Sequence, residues 1–264
     1  MTIDKIQLTE SLHKKFQEKL VKFDLEGVNI PFQSALLGED RTALYSLTHS
    51  VSTALGGYHE IVAKLIAPDE FDVVHTQKKL SETITVQAQT RISEILNSLS
   101  MQARRPNHDK EIEEIREVCR TGQTTKVSST KVDIWLEKDN VVYMIDLKTA
   151  KPNTSDWDKY KRTLLTWAAK FLYEEPKSKI RSIIGIPYNP YEPKSYSHWT
   201  EKGILDLSSG SKQLLIGQEL WSFLSGQEDA MDILIECYKE VGERNASRIT
   251  EIYNEVSLRN ALER

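Results

Sequence analysis

Residues 131–153 of the chain read KVDIWLEKDNVVYMIDLKTAKPN. Two runs within this stretch, 131–137 and 141–147, are rich in apolar residues, and the first alternates apolar with polar side chains. The polar tripeptide at 138–140 separates the two runs by the length of a tight turn. Two such runs joined by a short polar turn predict a β-hairpin.

An acidic residue interrupts each predicted strand: Asp133 in the first and Asp146 in the second. Lys148 follows two positions after Asp146, so both side chains point to one face of the strand, and the hairpin brings Asp133 alongside them. An isolated Asp-x-Lys at a strand end is commonly surface decoration. Burial of an unpaired carboxylate within an apolar strand is costly, however, so the placement of both acids favours a functional site.

Two carboxylates and a lysine at one end of a hairpin suit a hard divalent cation, because Mg²⁺ takes one or two carboxylates and keeps several waters. A bound metal polarises a phosphoryl oxygen and lowers the pKa of a coordinated water. A neighbouring lysine can orient that water and offset charge in the transition state. The residues therefore predict Mg²⁺-assisted phosphodiester hydrolysis, with Asp133 and Asp146 as metal ligands and Lys148 as a catalytic group.

The elements predicted around the hairpin define an α/β fold, with a small mixed β-sheet flanked by helices and with helical N- and C-terminal additions. Helices are expected at about 8–23, 58–66, 82–99, 109–119, 156–174 and 228–262, with a further one from Gln218, and strands at 181–186 and 213–216. Gly56-Gly57 is the expected start of the second helix, and Asp109 is the expected N-cap of the fourth. The prediction is a single domain with a mainly helical part at 1–125, a catalytic α/β core at 126–216 and C-terminal helices at 217–264.

Composition excludes several classes of protein. The 264 residues include 39% apolar and 28% charged side chains, which argues against collagen-like, low-complexity and disordered chains. No apolar run approaches the ~20 residues that span a bilayer, and the first residues lack the apolar core of a signal peptide. Two cysteines are too few for a disulfide framework or a zinc site, so we expect a cytoplasmic protein with no membrane association.

Charge is distributed unevenly along the chain. The net charge is −4, but residues 151–212 carry 11 basic and 7 acidic side chains, a net of +4. Residues 213–264 carry 5 basic and 10 acidic side chains, a net of −5. The basic middle directly follows the predicted hairpin, as expected beside a polyanionic substrate, although random variation of surface charge is an equal explanation.

The spacing of Asp133, Asp146 and Lys148 resembles the PD-(D/E)xK nuclease motif, with Lys131-Val132 where a proline is often found. Further strings resemble the TdeIII family of type II restriction endonucleases in their order and spacing: NIPFQSALLG at 29–38, LGGYHEIVAKLIA at 55–67, LKTAKPN at 147–153, IPYNPY at 186–191 and LIGQELWSFLSG at 215–226. The departures are Trp157, in a region where a glutamine is more usual, and Ser225-Gly226 in place of two glycines.

The resemblance implies a restriction-endonuclease-like core and a homodimeric, Mg²⁺-dependent enzyme that cleaves both strands of double-stranded DNA. The implied target is a short interrupted palindrome of the GGNCC type. The resemblance also makes Glu60, in the GGYHE string, a candidate for a further carboxylate near the metal. An equal alternative is that Glu60 is a solvated carboxylate on the face of a helix. Glu82 and Glu94 are weaker candidates for that role.

Residues near the predicted site are candidates for DNA contact, although each is alternatively a solvated or packed side chain. Phosphate contacts are expected from Lys159, Lys161 and Arg162 on the helix after the hairpin. Base contacts are expected from Lys151, Asn153, Asp156, Asn189 and Lys194. The aromatic pair Trp221 and Phe223 is expected in the core.

Two other functions fit the same fold. One is a nuclease of DNA repair or recombination that recognises structure rather than sequence. The other is a catalytically inert nucleic-acid-binding module, against which the intact set of Asp133, Asp146 and Lys148 argues.

Overall fold

The computed structural model describes residues 2–23, 31–148, 153, 156–191, 203–208 and 210–262. Two compact units make up the chain. The helical unit comprises Met1–Leu65 and Asp229–Arg264, and the sheet unit comprises Ile66–Glu228. The predicted internal boundaries at 125 and 216 therefore both fall inside the sheet unit. None of the described helices is long and apolar enough to cross a bilayer.

The helical unit contains helices from both ends of the chain: α1 (Lys5–Val21), α2 (Pro31–Leu37), α3 (Glu39–Ile66), α8 (Ala230–Arg244) and α9 (Ala246–Leu262). Helix α1 confirms the apolar periodicity predicted from 8–23, and Asp4 caps it by accepting the Gln7 backbone N–H. Helix α1 packs against α8. A small cluster of Leu20, Leu47 and Ile252 joins α1, α3 and α9.

Helix α3 corrects the predicted helix at 58–66. It runs for 28 residues from Glu39 to Ile66 and passes through Gly56-Gly57 without a break. A glycine lowers helix propensity by only about 1 kcal/mol, so the neighbouring turns of helix carry it. The predicted stop is right, because the helix ends before Pro68, which lies in a short 3₁₀ turn over Ala67–Asp69.

The sheet unit is built on a five-stranded mixed sheet whose strands lie in the order β1 (Val73–Lys79), β4 (Lys131–Lys138), β5 (Val141–Leu147), β6 (Lys179–Ile186) and β7 (Leu214–Ile216). Pairs β1–β4 and β4–β5 are antiparallel, whereas β5–β6 and β6–β7 are parallel. A separate antiparallel pair consists of β2 (Thr83–Thr85) and β3 (Thr124–Lys126). This mixed sheet with flanking helices confirms the predicted fold class.

The described part of the sheet unit also contains the helices α4 (Val86–Ser100), α5 (His108–Val118), α6 (Asp156–Glu174) and α7 (Gln218–Ser225). Helices α4, α5 and α6 share one apolar core with the sheet, in which Trp135 of β4 meets Phe171 of α6 edge to face. Trp221 is buried, as predicted, and donates its indole N–H to the Pro187 carbonyl. Phe223 is only half-buried, in contact with Phe71 and Tyr143.

The predicted hairpin is confirmed as β4 and β5. Ile134 pairs with Ile145, and the ladder continues to Lys138 opposite Val141. The two turn residues between the strands, Asp139 and Asn140, have φ values of +52° and +60°. Positive φ at both positions defines a type I′ turn, whose twist matches that of the flanking strands, and Asp and Asn tolerate this conformation better than most residues.

Three details differ from the sequence expectations. Strands β1, β2 and β3 were not predicted from the pattern. The helix expected from residue 82 begins at Val86, because Thr83–Thr85 forms a strand and Thr85 then accepts the Ala88 N–H as N-cap. Asn107, rather than Asp109, caps α5 by accepting the Lys110 N–H. Asparagine and aspartate are about equally good N-caps, so the residue type alone does not distinguish Asn107 from Asp109 as the first capping position.

Candidate active site

The hairpin register places Asp133 and Asp146 side by side. Ile134 pairs with Ile145, and one step further along both strands the two acids face each other on the same side of the sheet. Oδ2 of Asp133 accepts the backbone N–H of Leu147 at 2.9 Å, which ties the first acid to the second strand. Asp146 is only 4% exposed, whereas Asp133 is partly exposed.

Lys148 completes the group. Its Nζ lies 2.6 Å from Oδ1 of Asp146. Its backbone N–H donates to the Gly185 carbonyl at 2.9 Å, so the parallel β5–β6 pairing extends to this residue and fixes its side-chain direction. The ammonium also lies 4.8 Å from the centre of the Tyr160 ring on α6, a cation–π arrangement that holds it against the helix.

Burial dominates the electrostatics of the site. It raises the pKa of the Asp146 carboxyl to about 6, with a further rise from the neighbouring Asp133 charge and an opposing effect of the Lys148 ammonium. Burial also raises the pKa of the Tyr160 hydroxyl to about 12, helped by the charges of Asp156 and Asp146. Tyr160 is therefore a neutral hydrogen-bond donor at physiological pH.

The donor set fits a hard divalent cation. Oδ2 of Asp146 is buried and accepts no hydrogen bond from the residues that the structure describes. An uncompensated buried carboxylate oxygen is unfavourable, and a cation relieves that cost. Mg²⁺ prefers oxygen ligands, needs one or two carboxylates and fills its remaining positions with water. Within the described ranges no cluster of three or more His, Cys, Asp or Glu side chains is arranged to hold a metal, so Asp133 and Asp146 stand as a two-carboxylate set.

The other candidate metal-site carboxylates are those of Glu60, Glu82 and Glu94. Glu60 lies on α3 in the helical unit and is partly buried, and its approach to the metal stays a prediction. Glu94 is 61% exposed and pairs with Arg91 at 3.0 Å. Glu82 is exposed, and its backbone carbonyl accepts the Val127 N–H. Neither side chain is drawn into contact with Asp133 or Asp146 by these interactions.

The structure describes only some of the residues that are predicted to contact bases. Lys151 and Lys194 lie outside the described residues. The backbone N–H of Asn153 donates to Oδ2 of Asp156 at 2.8 Å, and the Asp156 N–H donates to the Asn153 carbonyl, so these two residues are hydrogen-bonded to each other where α6 begins. Oδ1 of Asn189 accepts the Tyr191 N–H at 3.0 Å within its own loop. Base contacts from all five residues remain predictions.

The structure contradicts the phosphate contact predicted for Lys161. This side chain is fully buried, pairs with the equally buried Glu111 at 2.5 Å and donates to Oε1 of Gln213. Burial lowers the pKa of its ammonium, and the charge of Glu111 opposes that shift. An ammonium enclosed in this way is structural. Lys159 and Arg162, by contrast, are exposed on α6, and their phosphate contacts remain predictions.

Two residues that lie beside the site, Gln77 and Tyr160, were not predicted from the sequence. Gln77 of β1 donates its side-chain amide to Oδ1 of Asp133 at 3.1 Å. Tyr160 supports Lys148 from α6. Gln77 was missed because β1 was missed. Tyr160 follows Asp156 by one helical turn, and that spacing places it at the start of the helix that leaves the site.

Comparison with known proteins gives the family. A family model described as type II restriction endonuclease HinfI matches residues 2–242. The type II restriction enzyme MjaII of Methanocaldococcus jannaschii is 30% identical over 241 residues, which cover 83% of this chain and 64% of that protein. HgiEI and HgiCII of Herpetosiphon aurantiacus, both type II restriction enzymes, are each 23% identical; the alignments cover 84% and 88% of this chain and 80% and 84% of those proteins, respectively.

The expected resemblance to type II restriction endonucleases is thereby confirmed at the level of the enzyme class, whereas the narrower assignment to the TdeIII family is not confirmed. The aligned region spans a little under two thirds of MjaII. The match to the HinfI model covers most of this chain and includes the hairpin that carries Asp133 and Asp146. The chain belongs to the HinfI family of type II restriction endonucleases.

Proposed function

We propose that this chain is a PD-(D/E)xK endonuclease that uses Mg²⁺ to hydrolyse phosphodiester bonds in both strands of DNA at a specific sequence. The observation that carries the proposal is the convergence of Asp133, Asp146 and Lys148 at one end of the β4–β5 hairpin. Oδ2 of Asp146, which is buried and has no hydrogen-bond partner among the described residues, supports a bound cation at this position. Membership of the HinfI family supports the same activity.

Each residue of the site has a distinct task in this proposal. Asp146 and Asp133 hold the cation through their carboxylates, and the bound Mg²⁺ supplies Lewis acidity and a water of lowered pKa. The Lys148 ammonium stabilises negative charge that develops on the phosphoryl oxygens. Tyr160 keeps that ammonium in place through its ring. Because Asp146 is buried, its charge is poorly screened and its attraction for a cation is correspondingly strong.

The surface beside the acids supports a polyanionic substrate. Lys79 of β1 and Lys131 of β4 are exposed cross-strand partners, two residues along their strands from Gln77 and Asp133. Like charges directly opposite each other destabilise a strand pair, and a phosphate between them removes that repulsion. Exposed Lys159 and Arg162 add positive charge on α6, the helix that carries Tyr160. These cations are suited to the DNA backbone rather than to base edges.

The target and the assembly are proposed from the resemblance described above. An interrupted palindrome of the GGNCC type is matched most simply by a homodimer whose dyad coincides with that of the DNA, each subunit cutting one strand. The acidic segment 213–264 is unsuited to DNA contact, so we expect it to face away from the duplex or to pack in the protein core. Light scattering of the free and DNA-bound protein tests the dimer, and a monomer in both states contradicts it.

Cleavage mapping tests the activity. Purified protein is incubated with plasmid DNA and Mg²⁺, and the ends of the products are sequenced, with an Asp146→Ala preparation processed in parallel. We expect discrete ends at one short motif and no cleavage by the variant. Cleavage at many unrelated positions identifies a nuclease of repair or recombination type, and DNA binding without any cleavage identifies an inert binding module.

A further inference from the structure

Gln77 has an unusual backbone conformation in an otherwise regular strand. Its φ is +55°, although it lies in the middle of β1 rather than in a turn. The pairs on either side, Thr76 with Ile134 and Lys78 with Val132, keep one register, so no residue has been inserted into the strand. A non-glycine residue at positive φ is strained, and such strain is retained where the surrounding structure or the function requires it.

The strained residue contacts the candidate metal ligand that is least constrained by its own surroundings. Gln77 lies across the strand pair from Asp133, and its Nε2 donates to Oδ1 of that acid at 3.1 Å. The Leu147 backbone N–H donates to Oδ2 at 2.9 Å. Among the described residues, each carboxylate oxygen of Asp133 therefore accepts one N–H, which restricts the rotation of the carboxylate and leaves further lone pairs for a cation.

The two acids differ in what holds them. Asp146 is buried and bound by Lys148, so its position is fixed from within the fold. Asp133 is partly exposed, and the hydrogen bonds from Gln77 and Leu147 restrict its rotation towards solvent. An amide is suited to this task because it donates to a carboxylate without adding charge. A cation in its place competes with the metal, and an anion repels the acid.

We propose that Gln77 is the positioning residue for the metal-binding carboxylate of Asp133, and that the strained backbone of β1 aims its amide. The inference rests on the proposed function, because it assumes that Asp133 binds the metal. Hydrogen-bond partners of metal ligands commonly raise metal affinity by about 10- to 100-fold, and the same scale is expected here. Gln77 acts through Asp133, so its effect belongs to metal binding rather than to the chemical step.

The test separates metal affinity from stability by using two substitutions of the same residue. Gln77→Gly removes the amide and accommodates positive φ without strain, whereas Gln77→Ala removes the amide and keeps the strain. His75→Gly, at an exposed position of the same strand whose φ is not positive, is the matched control. Mn²⁺ alone is the probe, and its binding to the DNA-free full chain is followed by electron paramagnetic resonance. Melting temperatures are measured on the same samples.

We expect both Gln77 variants to bind Mn²⁺ at least about tenfold more weakly than the parent chain, which is the scale of loss when a hydrogen-bond partner of a metal ligand is removed. Their melting temperatures should differ, with Gln77→Gly higher than Gln77→Ala. His75→Gly should lower the melting temperature and leave Mn²⁺ affinity unchanged. The Mg²⁺ concentration that gives half-maximal cleavage should rise in both Gln77 variants, while the cleavage rate at saturating Mg²⁺ changes little.

Two outcomes overturn the positioning role. One is Mn²⁺ affinity within twofold of the parent chain in Gln77→Gly. The other is affinity that follows the melting temperature across all three variants, which indicates general destabilisation of the strand. An Asp146→Ala sample distinguishes failure of the proposed function: if the parent chain binds Mn²⁺ no better than this variant, the metal site itself is wrong and the role of Gln77 falls with it.

Discussion

Asp146 and Lys148 form an ion pair in which only the lysine reaches the surface. Their atoms Oδ1 and Nζ are 2.6 Å apart, but the side chains are 6% and 26% exposed, respectively. A DNA phosphate that approaches this end of the hairpin therefore meets the ammonium before the carboxylate. The pair combines an enclosed anion that attracts a cation with an accessible cation that attracts the substrate.

Replacement of the lysine tests the catalytic half of that pair. Lys148→Ala should lose at least ~10²-fold in cleavage rate, because a positioned charge that stabilises the transition state is worth about that much. Binding of a cognate duplex in Ca²⁺ should be reduced far less than the rate. Single-turnover cleavage and a Ca²⁺ binding titration measure the two quantities. A variant that cleaves at the parent rate contradicts the role of Lys148.

Replacement of either acid tests the metal-binding half. Asp133→Ala and Asp146→Ala should each abolish Mg²⁺-dependent plasmid cleavage while circular dichroism spectra stay those of the folded chain. Glu113→Ala is the matched control, since this carboxylate is 64% exposed and pairs with Arg116 on α5. Full activity in either aspartate variant, with Mg²⁺ present, removes that residue from the ligand set.

Two lysines on one helix should behave differently. Lys161→Met removes the cation that pairs with the buried Glu111, which should lower the free energy of unfolding by about 3–5 kcal/mol. Lys159→Met removes a side chain that is 75% exposed and should change stability by less than about 0.5 kcal/mol. It should instead reduce the slope of DNA affinity against salt by about one unit. Urea unfolding and binding at two salt concentrations separate these results.

His108 should account for part of the fall in the free energy of unfolding at acidic pH. The Ser182 backbone N–H donates to its Nε2 at 3.1 Å, so this nitrogen carries no proton. Burial, with the charges of Lys161 and Arg181, lowers the pKa of His108 to about 4. The unfolded chain takes up this proton first, near pH 6.5, so the stability that comes from neutral His108 is present at neutral pH and is lost as the pH falls from about 6.5 towards 4.

The expected loss from this one group is about 2 kcal/mol between pH 7 and pH 5. His108→Gln keeps an acceptor for the Ser182 N–H and cannot titrate, so its unfolding free energy should fall less over the same interval. Urea denaturation of both proteins at the two pH values measures the difference. Equal pH dependence in the two proteins shows that the histidine is not responsible. His59 is also buried with its pKa lowered to about 4, and it contributes equally to both samples.

Substitution of the predicted base-reading residues should change discrimination at single positions. Lys151, Asn153, Asp156 and Lys194 are the nominees, and loss of one base contact should cost about 1–3 kcal/mol at one position of the target. Binding to cognate and singly substituted duplexes in Ca²⁺ shows which position is affected. If alanine at all four leaves the cognate-to-mismatch ratio unchanged, sequence is read by another part of the chain.

The sequence was sufficient to predict the hairpin and the three residues that meet on it. Apolar strands, an Asp-Asn turn and acids inside those strands are local signals, and side-chain alternation converts them directly into a shared face. Strand β1 has no such signal. It is an edge strand whose residues after Val74 are polar, and the conformation of Gln77 interrupts its regularity. Gln77, which donates to Asp133, therefore could not be identified from the periodicity of the sequence.

Lys161 shows a different kind of error. The basic run KYKR at 159–162 led to the prediction of phosphate contacts. The order of charges along the chain does not show which face of the helix each residue occupies. A signal was present, because Trp157, Leu164 and Ala168 stand four, three and seven positions from Lys161 and share its face. The buried partner Glu111 comes from α5, 50 residues earlier, and no local pattern connects the two.

The type I′ turn at Asp139 and Asn140 has a consequence for the chemistry at the opposite end of the hairpin. The turn sets which residue of β4 lies opposite which residue of β5, and a slip of one residue sends every side chain of a strand to the other face. Such a slip would separate Asp133 from Asp146 without altering either residue. The alignment of the two acids therefore depends on the two-residue turn at the far end of the hairpin, and we expect any insertion there that shifts the register by one residue to disable the site.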